Sequence, residues 1–98
     1  MADYVTNLIF VNSCNEKDLV KIEAFLNETF EESKYERSDE NIEGEFFSRR
    51  YFPQEEFEQL TASLEAKDLT CIRILAYDFP DEYVCYRIFS QGQWKIML

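Results

Sequence analysis

The sequence predicts an α+β domain in which a mostly antiparallel sheet carries two helices on one face. Three observations lead there. Several short stretches rich in Ile, Val, Phe and Tyr alternate with a period of two, and two stretches repeat their apolar residues every three or four positions. In chain order the pattern runs strand, helix, strand, helix and then three strands in succession, which suits an open antiparallel sheet rather than a parallel one. A chain of 98 residues holds one domain, because it can bury only about 60 to 70% of the surface that its unfolded form exposes. Hydrophobic residues make up 46% of it, enough to offset the entropy lost on folding.

The first strand is expected from Tyr4 to Asn12, where Val5, Leu8, Ile9, Phe10 and Val11 are too dense and β-rich for an exposed loop. The turn formers of "NSCN" end it. Asn15 can cap a helix by accepting a bond from an early backbone N–H. Leu19, Ile22, Phe25, Leu26 and Phe30 then repeat at helical spacing, predicting a first helix from about Glu16 to Glu32. "EESKYERSDENIEGE" reads as an exposed acidic connection.

A second strand follows in "NIEGEFFSRRYF", with Ile42, Phe46 and Phe52 on one side and Glu43, Glu45, Phe47, Arg49 and Tyr51 on the other. Pro53 suits a helix start, and Glu55, Glu56 and Glu58 favour the positive end of the helix dipole. Phe57, Leu60, Thr61 and Leu64 line one side of this second helix, expected to end near Lys67.

The last segment reads as a hairpin with a five-residue loop, Asp78 to Glu82, that pairs Ile72 with Ile88, Ile74 with Tyr86 and Ala76 with Val84 on the buried face. "SQGQ" turns the chain into a short final strand carrying Trp94 and Ile96. Five strands and two helices in this order describe a ferredoxin-like two-layer sandwich or a variant of it. No internal repeat or linker divides the chain.

Twenty acidic residues against ten basic ones give a net charge of −10. Such a chain repels nucleic-acid phosphates and anionic lipid, so the expected partner is a basic protein surface. Cys14, Cys71 and Cys85 form no CxxC pair and the chain has no histidine, which argues against a zinc site or a Cys/His nucleophile. An odd cysteine count, the lack of a signal-like segment and the lack of a long apolar run point to a cytosolic protein with reduced thiols and no membrane span. No cofactor is expected.

Met1, Tyr4, Thr6, Asn7, Ile9 and Val11 resemble the start of the YubB-like ferredoxin-fold family of plasmid and phage proteins, whose members tend to begin Met-x-Asn-Trp-x-x-Asn-x-Leu-x-Val. Tyr4 stands at the Trp, Asn7 at the second Asn, and Asp3 where an Asn is usual. Tyr51, Pro53, Leu60 and "DLTCIRILAYD" are similar to that family's aromatic-Pro, helix and following strand region. "EYVCYRIFSQGQW" resembles its closing hairpin, although "PDEYVCY" replaces the usual glycine-aromatic cluster. The resemblance implies a ferredoxin-like fold and a mobile-element origin, and transfers no catalytic residue. Without it, Tyr4 is expected to staple the edge of the core, and Asn7 to hydrogen-bond a neighbouring loop.

Two surfaces are candidate sites. The sheet face turned away from the helices should carry Leu8, Phe10, Phe47, Tyr51, Leu75, Tyr77, Tyr83 and Phe89, with Arg49, Arg73 and Arg87. A monomer rarely exposes so large an apolar patch. A second copy in a homodimer is the favoured cover, another protein the next, and stacked single-stranded bases the least favoured against the net charge.

The other surface is acidic. Between Glu28 and Glu45 eight acids face two bases, and Glu31, Glu32, Glu36, Asp39, Glu40, Glu43 and Glu45 are candidates to imitate a nucleic-acid backbone before a basic groove. Glu43 and Glu45 share a strand face, but no third ligand or partner accompanies them, so neither metal binding nor acid–base catalysis is expected of them. Taken with the phage or plasmid origin that the resemblance implies, these acids point to a non-enzymatic inhibitor of the anti-CRISPR or anti-restriction kind, a DNA mimic that blocks a basic nucleic-acid-binding surface of a host defence complex. A dimerising adaptor whose acidity serves only solubility is the alternative.

Overall fold

A computed structural model describes residues 4–30 and 32–98. Among these the chain forms one six-stranded sheet and two α-helices. The strands are β1 (Tyr4–Ser13), β2 (Ser33–Arg37), β3 (Asn41–Arg49), β4 (Thr70–Asp78), β5 (Tyr83–Ser90) and β6 (Gln93–Ile96). The helices are α1 (Glu16–Thr29) and α2 (Gln54–Ala62). The strand order is β2-β3-β1-β4-β5-β6, and every neighbouring pair is antiparallel. The α+β class and the predominance of antiparallel pairing agree with expectation. No described helix is long and apolar enough to cross a membrane.

A single core lies between one sheet face and the helices. Val5, Ile9 and Val11 of β1, Ile42 and Phe46 of β3, and Ile72, Ile74 and Ala76 of β4 meet Leu19, Ile22 and Leu26 of α1 and Phe57 and Leu60 of α2. Aromatic rings tie its layers: Phe30 stacks on Phe46 at 4.3 Å, and Phe57 sits edge-on to Phe25 at 4.9 Å. Trp94 of β6 joins them, 5.3 Å from Phe89, and its indole N–H donates to Thr61 Oγ1 at 3.0 Å.

Both helices stop short of their expected ends. Asn15 Oδ1 accepts from Asp18 N at 2.9 Å, the cap that the sequence predicts, but Phe30 is already extended and turns its ring into the core. Helix α2 ends at Ala62 because the N–H groups of Glu65 and Ala66, which a longer helix would turn back on itself, donate to the two carboxylate oxygens of fully buried Asp18 at 2.9 and 2.8 Å. Asp18 thus joins α1 to the approach to β4.

Three expectations are overturned. Part of the acidic connection is strand β2, so the sheet has six strands, not five. A strand is possible there because α1 supplies what the strand lacks in apolar residues: Arg37 donates from Nη2 to Glu16 and from Nε to Glu23, at 2.8 and 3.0 Å. Gly44 admits β2 closely, since a Cβ there would run into the Lys34 carbonyl oxygen and Tyr35 Cα.

Second, β3 ends at Arg49. Arg50 takes a left-handed φ of 67° and Tyr51 N closes on Arg49 O, a tight turn that carries Tyr51 and Phe52 off the strand. Third, the β4–β5 loop has four residues, Phe79 to Glu82, with Glu82 N donating to Phe79 O at 3.0 Å and Pro80 second in the turn. Ile72 therefore pairs with Phe89, Ile74 with Arg87 and Ala76 with Cys85. A shift of one residue turns every side chain of β5 to the other face.

Candidate binding face

The second sheet face is bare of helices, and the strand registers fix what it shows. Tyr4, Thr6, Leu8 and Phe10 of β1 alternate with the buried Val5, Asn7, Ile9 and Val11. Leu8 keeps 41% of its surface exposed in the middle of the sheet. Glu43, Glu45, Phe47 and Arg49 come from β3, Lys34 and Glu36 from β2, and Arg73, Leu75 and Tyr77 from β4. Val84, Tyr86 and Ile88 come from β5, opposite Tyr77, Leu75 and Arg73. A trough of about 640 Å³ crosses the face, with Leu8, Phe10, Leu75 and Tyr86 on its apolar side and Glu36, Glu43 and Glu45 on its acidic side.

Among the predicted acids, Glu36, Glu43 and Glu45 come together here. Glu36 stands directly opposite Glu43, and Glu45 opposite Lys34. Like charges opposed across two strands destabilise a sheet, and among the described residues neither Glu36 nor Glu43 has an ion pair. Asp39 and Glu40 lie in the β2–β3 turn, which Ser38 N closes on Asn41 O. Glu32 lies at the other end of the hairpin beside a second cavity, about 920 Å³, which Phe47, Arg49 and Tyr51 also line. Glu31 lies outside the described residues. Arg37 is turned to the helix side, and its hydrogen bond to Glu16 above all raises its pKa from the ordinary value. It therefore does not neutralise the bare face. No group of three or more Cys, Asp or Glu among the described residues is placed to hold a metal ion.

Among the predicted aromatic positions, Phe47, Leu75 and Tyr77 lie on the bare face. Tyr51 sits in the β3–α2 connection, exposed, with its ring 6.2 Å from that of Tyr83. Tyr83, Arg87 and Phe89 belong to the opposite, helix-covered face, because of the β5 register. Phe89 is 2% exposed, and Cys85 is buried opposite Ala76. Tyr83 Oη accepts from Phe52 N at 3.0 Å, and burial raises its phenol pKa from the ordinary value. Arg87 holds its guanidinium over the Phe52 ring, with Cζ 5.9 Å from the ring centre, and donates to Gln54 Oε1 and the Leu98 carbonyl at 3.3 and 2.7 Å.

The sequence reading missed Val84, Tyr86 and Ile88 on the bare face. The signal was Pro80-Asp81, which as the centre of a type I turn sets a four-residue loop. The opening residues resolve differently from each other. Asn7 is fully buried and donates from Nδ2 to Val5 O and Phe46 O and to Ser48 Oγ, which itself donates to the Tyr51 carbonyl, so it does brace a neighbouring connection. Tyr4 does not staple the core. It points outward, 45% exposed, beneath the Arg49 guanidinium at 5.7 Å. Compared with known proteins, the chain matches no family model, no curated protein and no solved structure.

Proposed function

We propose that this chain is a non-enzymatic, acidic protein-binding domain of ferredoxin-like topology that occupies a basic, nucleic-acid-binding surface of a host defence complex, as anti-CRISPR and anti-restriction proteins of phages and plasmids do. The topology supports the first part. In β1-α1-β2-β3-α2-β4 the first crossover leaves room for β3 between β1 and β2, and the order β2-β3-β1-β4 is that of a split βαβ sandwich, with β5 and β6 as an added pair. The mobile-element origin rests on the resemblance of the opening and closing segments to the YubB-like family.

The observation that carries the binding mode is the unneutralised opposition of Glu36 and Glu43. Two carboxylates facing each other on adjacent strands disfavour the free protein, and a basic partner that lies across them relieves the repulsion. Glu45 extends the acidic row along β3, and Asp39 and Glu40 extend it around the turn. Rows of charge on a rigid sheet present a basic groove with the electrostatic pattern that it reads on a nucleic acid.

The test is a pull-down from a bacterial lysate with the wild-type chain and with the triple variant Glu36→Lys, Glu43→Lys, Glu45→Lys. Capture of a nucleic-acid-binding protein is expected, weakening steeply with salt and displaced by nucleic acid. The triple variant should lose it, while each exposed substitution moves stability by only about 0.5 kcal/mol. Unchanged capture by the triple variant refutes the reading.

A further inference from the structure

The bare face is electrically lopsided across its strands. Its carboxylates Glu36, Glu43 and Glu45 all lie on β2 and β3, where Lys34 and Arg49 accompany them, whereas the outward positions of β4 to β6 carry Arg73 and Lys95 and no acid. The registers line these residues into rows. One row runs Glu36, Glu43, Phe10, Arg73, Ile88, Lys95, and the next runs Lys34, Glu45, Leu8, Leu75, Tyr86. Acid stands at one end of the first row and base at the other, Phe10 and Arg73 share its centre, and Leu8 and Leu75 form the apolar centre of the second.

We infer that this face packs against a second copy of itself around a two-fold axis running parallel to the strands, between β1 and β4. That rotation lays β2 on β6, β3 on β5 and β1 on β4. Glu36 then meets Lys95 of the partner subunit. Glu43 lies over the partner's Ile88, between the partner's Arg73 and the partner's Lys95, so the opposed carboxylates gain two cations. Phe10 lies over the partner's Arg73, as a cation–π contact requires. Leu8 meets the partner's Leu75 at the dry centre. A two-fold running across the strands would instead lay β2 on β2 and β3 on β3 and would leave Glu36 and Glu43 away from Arg73 and Lys95.

The size of the face is adequate. Six strands about 4.8 Å apart, with roughly seven residues each at 3.4 Å per residue, present roughly 700 Å² per copy. A standard stable interface buries about 800 Å² on each side. Packed sheets cross at about 30°, so the fit is tightest at Leu8 and Leu75 and loosest at the rim pairs. The rim charges therefore fix orientation more than affinity. This inference does not depend on the basic-partner reading, although Glu36 and Glu43 serve both, so that partner and second copy exclude each other.

Sedimentation equilibrium of the purified full chain, at micromolar concentration and low salt, tests it. A mass of two chains is expected, and Leu75→Glu should give a mass of one. Glu36→Lys alone and Lys95→Glu alone should each weaken the dimer about tenfold, since each reversal turns two rim attractions into repulsions. The double variant Glu36→Lys, Lys95→Glu should restore it to within about threefold. Both rim positions are exposed, so this cycle stands even where Leu75→Glu fails to fold. A one-chain mass for the wild type overturns the dimer whatever the pull-down returns. A double variant no tighter than its single parents overturns the axis.

Discussion

The two hairpins that flank β1 are attached by different means. On the inner side of β4–β5, Ile72, Ile74, Ala76, Cys85 and Phe89 are all buried in the common core. The β2–β3 hairpin has Ile42 and Phe46 only on its inner strand. Its outer strand is polar and is held by the ion pairs of Arg37 to α1, by Tyr35, whose hydroxyl accepts from Asn27 Nδ2, and by the close approach over Gly44. Both strands of one hairpin adhere by apolar burial, whereas the outer strand of the other adheres by charge, backbone fit and the single ring of Tyr35. The second arrangement leaves a strand free to carry carboxylates outward, where a strand secured only by its own apolar alternation would have fewer polar positions to offer.

The largest expected effect separates the faces of β5. Phe89→Ala removes a fully packed ring from between Ile72 and Trp94 and should cost about 4 kcal/mol in chemical denaturation. Val84→Ala, at a position 52% exposed, should cost well under about 1 kcal/mol. Equal losses would place both residues at similar depth and break the four-residue loop register.

That register was the part of the fold hardest to read from sequence, for a physical reason. Both sides of β5 are similarly apolar: Val84, Tyr86 and Ile88 on one, Tyr83, Cys85 and Phe89 on the other, with Arg87 on the second. Alternation identifies a strand in such a segment but not the face that it buries. An arginine whose guanidinium lies over Phe52 and donates to Gln54 removes the one polar clue. Where one side clearly wins, as with Ile42 and Phe46 against Glu43 and Glu45, the face is legible directly. Glu43 and Glu45 are therefore legible on their strand face, whereas Glu36 reaches it on a strand that the sequence reads as a connection, and half of the aromatic residues expected on the face lie elsewhere. Strand β2 was illegible as a strand because "SKYER" has no apolar alternation; what holds it is Arg37 to Glu16 and Glu23, contacts between residues well apart in the chain.

A smaller effect tests how the acidic hairpin is attached. Gly44→Ala forces a methyl group against the backbone of β2, and overpacking of this kind costs about 3 kcal/mol or less, depending on how far the strand yields. The loss should be local. Amides of residues 33 to 37 should exchange with solvent much faster, while those of β4 and β5 change little. Equal acceleration in both hairpins would show that β2 is integral to the common core and would erase the distinction drawn between them.

The smallest effect concerns Tyr83, which roots the apolar hairpin to the start of α2 by accepting from Phe52 N. Tyr83→Phe removes that acceptor and should cost about 1 kcal/mol near neutral pH. The pH dependence gives a sharper reading. Burial raises the phenol pKa above the value of 10.0 that an unperturbed tyrosine has, so between the two values the folded chain keeps a proton that the unfolded chain has released. Stability conferred by this group is thus fully present below pH 10 and falls as pH climbs through the folded pKa. The stability advantage of wild type over Tyr83→Phe should shrink as denaturation is repeated from pH 8 to above pH 10. An advantage that stayed constant would mean that the Tyr83 hydroxyl is as well solvated in the folded protein as in the unfolded one, and that the β5 face carrying it is more open to water than the Phe52 contact implies.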